Sequence, residues 1–366
     1  MTKRELQIIR IIKENPLISQ QEIAEKLGIT RSSVAVHITN LSKKGIIKGR
    51  SYVLDEKNYV SVVGGINIDI VGFPEYKLVR KDSNPGKALI SLGGVGRNIA
   101  ENLTKMELNT KLFSIIGSDY HGDQIIEESR AVGLDVDYLK ISESHSTGTY
   151  LAILDEDHDM DIAISSMDIL NYLDIDYIKE NRQVLGLSDI IVFDTNINKD
   201  VLEYATDILS DNKMFLDTVS YNKALRAKDI IGRFHTIKPN RIEAEALSGI
   251  KIKDKKDLDK ASDFFHKKGV VNVFITLSEK GVFYSDGKES GIFKAEGVKP
   301  VNATGAGDAF QAGLVYAEVN NFSLIEKTKF ATAASIVAMT SNSTINEKMS
   351  INEINKIIKN MEESYE

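Results

Sequence analysis

The chain has 366 residues, of which 42% are hydrophobic, so it can form one large domain and a second, small one. It contains no cysteine, which excludes disulfides, thiolate catalysis and cysteine–metal sites and agrees with a reducing cytoplasm, where we expect the protein. Neither a signal peptide nor a run of about 18 apolar residues is evident, so we expect no membrane span. The net charge of −7 hides a basic head, because residues 1–56 carry ten Lys or Arg against six Asp or Glu. A basic head on an acidic body predicts a nucleic-acid partner for the head alone.

The head shows three helical patterns. Apolar residues recur at helical spacing over residues 3–14, and Ser19 with Glu22 has the spacing of a capping box before a second helix. Thr30 is the expected N-cap of a third helix, which runs from Arg31 to about Lys44. Residues 46–54 then predict a two-stranded wing that turns at a glycine.

Three helices and a wing resemble the winged helix-turn-helix of bacterial regulators, in which the third helix enters the major groove. The side chains expected to contact DNA are Arg31, Ser32, Ser33, His37 and Asn40 on the helix, and Lys48 and Arg50 on the wing. The alternative is a small helical domain used for packing or dimerisation.

A polar linker follows the head and predicts a boundary between a domain at 1–56 and a domain at 59–366. Tyr59–Val63 is typical of a buried strand. Asn67 and Asp69 alternate along the next run, so both could meet a polyol on one side. The alternative is a pair of turn-forming polar residues.

A glycine-rich stretch, Gly93-Gly94-Val95-Gly96-Arg97-Asn98, begins a further helix. It is neither the dinucleotide fingerprint nor a Walker loop. Bare glycines let a small ligand approach the backbone, and the Asn98 amide offers both a donor and an acceptor.

Beyond residue 111, strand patterns, beginning with Leu112–Ile116, alternate with helical patterns, which predicts a mostly parallel sheet with helices on both faces. Ligands bind at the carboxyl edge of such sheets, and four polar clusters are expected there: 194–196, 217–218, 238–240 and 276–278. Residues 148–154 are typical of an antiparallel strand. Together with 162–164 and 66–92 they predict a small separate sheet, a candidate lid.

Asn240 and Glu243 share one face at a helix start. A carboxylate there can hold hydrated Mg²⁺ beside phosphates. The alternative is an ordinary helix-start carboxylate.

The strongest chemical signal is Thr304-Gly305-Ala306-Gly307-Asp308, a small-residue turn that opens into an apolar helix. Its backbone N–H groups favour anionic oxygens, whereas the Asp308 carboxylate repels them. An acid at that place makes sense as a base that removes a proton from a hydroxyl during phosphoryl transfer. The alternative is a glycine-rich turn with Asp308 as a helix cap.

Together, Thr304–Asp308, Gly93-Gly94 with Asn98, and the Asn240/Glu243 pair make residues 59–360 resemble the ribokinase-like PfkB carbohydrate kinases. The resemblance implies that fold and ATP- and Mg²⁺-dependent phosphorylation. It also implies Asp308 as base, the backbone of Gly305, Ala306 and Gly307 as anion hole, and Asn240 and Glu243 near phosphate and Mg²⁺, with Glu243 acting through water. Further residues implied on the nucleotide side are Thr276, Ser278, Gly281, Thr304 and Asn342.

Within the family, residues 82–87, 93–100 and 238–245 most resemble the pseudouridine kinases. This implies phosphorylation of the 5′-hydroxyl of pseudouridine, with ribose contacts from Asn67, Asp69, Gly93, Gly94 and Asn98. Another ribonucleoside or a sugar is the alternative substrate, and a ligand-sensing transcription regulator is the alternative function.

Many members of the family carry Asp where this chain has Asn302, in a segment associated with a monovalent cation, which places activation by K⁺ in question. A homodimer is expected, because helix-turn-helix proteins and kinases of this family commonly form dimers.

Overall fold

The computed structural model describes residues 1–47, 58–157, 159–295, 302–341 and 343–363. Its contacts divide the chain into two units, Met1–Asn58 and Tyr59–Glu366. Within the described residues, the helices are all too short or too polar to cross a membrane.

The first unit contains three helices: α1 (Lys3–Glu14), α2 (Gln20–Leu27) and α3 (Arg31–Lys43). Ser19 and Glu22 form the expected capping box at the start of α2. Gly28 ends α2 in the left-handed region at φ 63°, which allows the short turn into α3. The Thr30 hydroxyl accepts a hydrogen bond from the Ser33 N–H and caps α3 as predicted. The predicted wing lies outside the described residues apart from its first two positions.

The second unit alternates strands and helices. Its strands are β1 (Val60–Val63), β2 (Asn67–Pro74), β3 (Gly86–Gly93), β4 (Thr110–Phe113), β5 (Ile115–Gly117), β6 (Lys140–Ser142), β7 (Thr149–Leu154), β8 (Met160–Ser166), β9 (Ile190–Asp194), β10 (Lys213–Asp217), β11 (Thr236–Ile237), β12 (Asn272–Thr276), β13 (Val282–Ser285) and β14 (Ser290–Phe293). Its helices are α4 (Val95–Lys105), α5 (Tyr120–Ala131), α6 (Ile175–Leu185), α7 (Lys199–Ile208), α8 (Tyr221–Ala224), α9 (Arg241–Ser248), α10 (Lys255–Lys268), α11 (Ala306–Val319), α12 (Leu324–Met339) and α13 (Ile351–Glu363).

The main sheet has the order β14-β13-β12-β11-β10-β9-β1-β4. The strands from β4 to β12 in this order pair in parallel, and β13 and β14 add an antiparallel edge. Alternate residues of β1 and β9 enter two separate apolar cores, so both faces of the sheet are covered. The predicted architecture, a mostly parallel sheet with helices on both faces, is therefore confirmed.

The predicted run Leu112–Ile116 is wrong as a single strand. Strand β4 ends at Phe113, and β5 starts at Ile115 in a different, two-stranded sheet with β6. The intervening Ser114 is fully buried, and its hydroxyl donates to the carbonyl oxygen of Gly64 at 2.6 Å. This bond fixes the chain where it leaves the main sheet.

A separate four-stranded sheet has the order β3-β2-β7-β8 and is built from the residues predicted for it. Strand β7 pairs antiparallel with β8, as expected, but parallel with β2. One face carries Asn67 and Asp69. The opposite face, here called the apolar sheet face, carries a row across all four strands: Ile90, Ile70, Leu151 and Ile164.

Candidate active site

The carboxyl edge of the main sheet meets the start of α11, which carries the predicted base. Gly305 adopts φ 78° at the N-cap, and a Cβ there would lie 2.1 Å from the carbonyl oxygen of Thr344, so only glycine fits. Asp308 lies in the first turn of the helix, where backbone N–H groups have no intrahelical partner. The turn therefore places a carboxylate beside donors suited to an anion.

Asp308 is tied to the helix that follows the other glycine-rich stretch. The Asn98 amide nitrogen donates to Asp308 Oδ2 at 2.8 Å. Burial, together with the nearby Asp217 carboxylate, raises the pKa of Asp308 to about 7, against the opposing effects of Asn98 and Lys238. A carboxylate with this pKa is well matched to accepting a proton near neutral pH.

The residues predicted as substrate contacts come together around Asp69 and Asn98, a part of the site that is here called the predicted sugar side. The Asn67 amide donates to Asp69 Oδ1 at 2.6 Å, and a Cβ on Gly93 would lie 2.2 Å from Asp69 Oδ2. Gly94 adopts φ 97° at the start of α4 and packs on the backbone at residues 65–66. Asn98 lies one turn further along, and its buried Oδ1 has no hydrogen-bond partner among the described residues. This orphaned acceptor is suited to a substrate hydroxyl.

A buried ion pair joins the ends of β10 and β11 next to Asp308. Lys238 Nζ lies 2.9 Å from Asp217 Oδ2, and both side chains are buried. Burial alone would lower the pKa of Lys238, but the carboxylates of Asp217, Asp308 and Glu243 have the larger effect, so the pKa is raised. The ammonium therefore stays charged. The ammonium lies 3.3 Å from the position of a Cβ on Gly307, at the start of α11. Lys238 was not predicted as a site residue, although the polar cluster at 238–240 was a signal for it.

The Asn240/Glu243 pair forms a capping box at the start of α9. Glu243 Oε2 accepts from the Asn240 backbone N–H at 2.8 Å and from the Thr218 hydroxyl at 2.6 Å. Glu243 Oε1 accepts from the Asn240 amide at 2.7 Å. Both oxygens thus have protein partners, so a cation near Glu243 would be held through water.

A cavity of about 790 Å³ is lined in part by Gly307, the residue before Asp308. It lies between the loop after β12 and helices α11 and α12, and its lining includes Thr276, Ser278, Gly281, Ala306, Phe310 and Met339. The cavity has the size and mixed lining of a nucleotide pocket. Three predicted nucleotide-side residues therefore line one cavity, whereas Thr304 is exposed outside its lining and Asn342 lies outside the described residues.

A second polar pair joins Asn196, which lies in the predicted cluster 194–196, to Lys223, which sequence reasoning missed. Lys223 Nζ on α8 donates to Asn196 Oδ1 at 2.6 Å, and the Asn196 amide nitrogen lies 2.7 Å from the position of a Cβ on Gly65. Burial lowers the pKa of Lys223. The turn before α8 places the β-branched Val219 at φ 57°, a strained conformation of the kind that clusters at functional sites.

The buried Asp194 joins this pair to β1. Its Oδ2 accepts from the Gly65 N–H at 2.8 Å, and burial raises its pKa to about 6. No group of three or more His, Asp or Glu side chains in the described part of the chain is arranged to hold a metal directly.

In the head, the residues predicted to contact DNA do not share one environment. Arg31 and Ser32 are exposed on α3, whereas Ser33, His37 and Asn40 are half-buried at its flank. Lys48 and Arg50 lie outside the described residues.

The fold and the site define the class of small-molecule kinases, because an acid at a glycine-rich helix start is joined to a cluster of polar side chains and follows a residue that lines a nucleotide-sized cavity. Residues 57–351 match the pfkB family of carbohydrate kinases, and residues 1–48 match a winged helix-turn-helix DNA-binding family. The chain belongs to the pfkB family of carbohydrate kinases and carries an N-terminal winged helix-turn-helix domain.

Two similar proteins come from Escherichia coli K12. The chain is 37% identical to the uncharacterized sugar kinase YeiI over 96% of this chain and 97% of that protein. It is 35% identical to pseudouridine kinase over 84% of this chain and 98% of that protein. A crystal structure from Clostridium perfringens, named provisionally as a sugar kinase, is 39% identical and superposes with a TM-score of 0.76 over 84% of this chain and 96% of that one. Ribokinase from Arabidopsis thaliana superposes with a TM-score of 0.69 over 82% of this chain and 99% of that one, at 21% identity, so the fold is ribokinase-like.

Proposed function

We propose that a kinase domain spanning residues 59–366 transfers the γ-phosphoryl group of ATP to the 5′-hydroxyl of pseudouridine. The observation that carries the proposal is the hydrogen bond between Asn98 and Asp308, because it joins the sugar-side helix to the base. The relative named pseudouridine kinase, which matches almost over its full length, supports the choice of substrate.

In this reaction Asp308 accepts the proton of the 5′-hydroxyl. The hydroxyl oxygen forms a bond to the γ-phosphorus while the bond from that phosphorus to the bridging oxygen of ADP breaks. The backbone N–H groups of Gly305, Ala306 and Gly307, with the Lys238 ammonium beside them, stabilise the charge on the transferring group. ATP occupies the cavity lined by Thr276, Ser278 and Gly281.

Mg²⁺ fits this site through water. The carboxylate of Glu243 and the amide of Asn240 lie at the start of α9, and Mg²⁺ usually keeps several waters when it binds beside phosphates. Asn240 and Glu243 would hold the hydrated ion, which would supply positive charge that offsets the charge of the phosphates. Asn302 supplies an amide where many family members have a carboxylate, so we expect turnover without added K⁺.

Another ribonucleoside or a sugar is the competing substrate, and a ligand-sensing regulator is the competing function. The match to YeiI, itself an uncharacterized sugar kinase, keeps the first alternative open. The helix-turn-helix match keeps the second open.

The test is ATP consumption with Mg²⁺ against pseudouridine, uridine, adenosine, inosine, ribose and fructose 6-phosphate. Preferred turnover of pseudouridine is expected. Preference for another compound would move the substrate and keep the mechanism. Binding of a compound without turnover of any would favour the regulator.

We also propose that residues 1–56 bind DNA. The exposed Arg31 on α3 and the excess of basic residues in the head support this. Affinity should fall steeply with salt and on replacing Arg31 by Ala, whereas the same change at Lys13, exposed on α1, should matter less. An affinity that does not change with salt concentration, or no binding to genomic fragments, would contradict the proposal.

A homodimer is proposed through the apolar sheet face. Ile162 lies on the same face of β8 as Ile164, and the Ile90, Ile162 and Ile164 side chains are 55%, 56% and 60% exposed. The residues that pair across the four strands on this face include no charged side chain. Two identical copies can therefore pack face to face.

A further inference from the structure

The exposed face of α3 has an apolar side chain at its centre. The inward face of this helix is formed by Val34, Ile38 and Leu41, all of which are buried. Val36 lies two positions from Val34 and two from Ile38, which is about 200° around the helix in each direction. Its side chain therefore points away from the core and is 60% exposed.

The polar neighbours of Val36 are partly engaged within the helix. The Thr39 hydroxyl donates to the Ala35 carbonyl oxygen at 2.9 Å, and the Ser32 hydroxyl lies 3.0 Å from that of Thr30. Arg31 is exposed at the start of the helix and has no partner among the described residues. Val36 is thus an apolar side chain on an otherwise polar outer face.

The fold of the head does not explain an exposed valine at this place, because a polar residue would serve the helix as well or better. A short, stiff, apolar side chain on a groove-reading helix matches one group on DNA, the C5 methyl of thymine, the apolar feature of the major groove. DNA is favoured over a protein partner because the exposed cation Lys43 lies on the same face, two turns from Val36, and Arg31 is exposed at the start of the same helix.

We propose that Val36 contacts the C5 methyl of a thymine, so that the preferred DNA site of the head requires thymine at that position. The inference rests on the proposed DNA binding and adds a base and a residue to it. It predicts that removing one methyl group from DNA weakens binding without changing any Watson–Crick or backbone group.

The experiment uses the full-length protein and a duplex selected by it from a random library. Each thymine of that duplex is replaced in turn by deoxyuridine, which removes only the C5 methyl group. At one position per bound head, the change should lower affinity roughly fourfold, as expected for burial of one methyl group. Val36→Ala should lower affinity for the thymine duplex and abolish the difference between thymine and deoxyuridine at that position.

The matched control is Leu17→Ala, at an exposed apolar residue outside α3, which should keep the full sensitivity to deoxyuridine. If a duplex is selected but its affinity stays unchanged on replacing thymine by deoxyuridine at every position, the inference is overturned and the proposed DNA binding stands. Sensitivity that persists in Val36→Ala would also overturn it, because the methyl would then contact another residue. Failure to select any duplex would refute the proposed DNA binding and the inference with it.

Discussion

Asp308 is placed where two effects on its carboxylate oppose each other. Burial and the Asp217 carboxylate favour the protonated form, and Asn98 and Lys238 favour the ionised form. The balance leaves the pKa at about 7, so both forms are populated near neutral pH. A small change in this environment therefore changes how much of the enzyme holds a base ready for the incoming hydroxyl.

The rate should depend on pH through this group. Below pH 7 Asp308 is increasingly protonated and cannot accept a proton, so kcat/KM for pseudouridine should fall about tenfold per pH unit on the acid side of a midpoint near 7. The measurement is kcat/KM from pH 5.5 to 9. A flat profile down to pH 5.5 would contradict the assigned base.

Lys223 offers a second test at the residue scale. Its ammonium contacts Asn196 beside Gly65, next to the predicted substrate contact Gly94, and it does not line the 790 Å³ cavity. Lys223→Met should therefore raise KM for the nucleoside roughly tenfold or more and leave KM for ATP nearly unchanged. Lys228→Met, at an exposed lysine on the same segment, should change neither. A rise in KM for ATP instead would place Lys223 on the nucleotide side.

At the scale of an element, the turn into α11 gives a matched pair of glycine variants. Gly305→Ala forces a left-handed residue and brings its Cβ to 2.1 Å from the Thr344 carbonyl oxygen. It should lower the free energy of unfolding by more than the ~1–2 kcal/mol of left-handed backbone alone. Gly307→Ala meets only the flexible end of Lys238, at 3.3 Å, so it should cost less stability and act on turnover. Thermal and urea unfolding of the two variants provide the comparison, and equal stabilities would contradict this account of the turn.

Much of the architecture could be predicted because each element carries its own local signals. The capping boxes at Ser19 and Asn240 and the β-branched run at β1 lie where residue spacing indicated. The break at Ser114 could not be predicted, because it depends on a hydrogen bond to Gly64, far away in the sequence. Apolar periodicity alone continues through that serine.

The site was predictable where glycines and acids cluster in sequence and unpredictable where contacts join separate strands. Residue types and resemblance singled out Asp308 and Asn98, but no spacing indicated their hydrogen bond. The Asp217–Lys238 contact joins two strand ends and the Asn196–Lys223 contact joins a strand end to helix α8, so only the folded domain brings these residues together.

At the scale of the whole molecule, the apolar sheet face predicts assembly. Ile164→Asp places a charge on this face, at its edge strand β8, and should convert a dimer into a monomer, because burying an unpaired carboxylate is costly. Ser165→Asp, on the other face of the same strand, should leave the dimer intact. Sedimentation or light scattering distinguishes the outcomes, and a dimer that survives Ile164→Asp would place the interface elsewhere.

The central claim is that Asp308 is the base of a pseudouridine kinase, and the most direct measurement compares wild type with Asp308→Asn. We expect wild type to convert pseudouridine and ATP to pseudouridine 5′-phosphate. We expect the variant to lose roughly 10²–10⁴-fold or more in kcat while calorimetry shows pseudouridine still bound.

Unfolding of both proteins controls for loss of structure. Folding raises the pKa of Asp308, so its contribution to the free energy of unfolding is largest below the unfolded-state pKa near 3.8. This contribution is lost as the pH rises through about 7. Replacing the charge should therefore not lower Tm at pH 8. A stable Asp308→Asn variant that turns over pseudouridine at a near-normal rate would contradict the account.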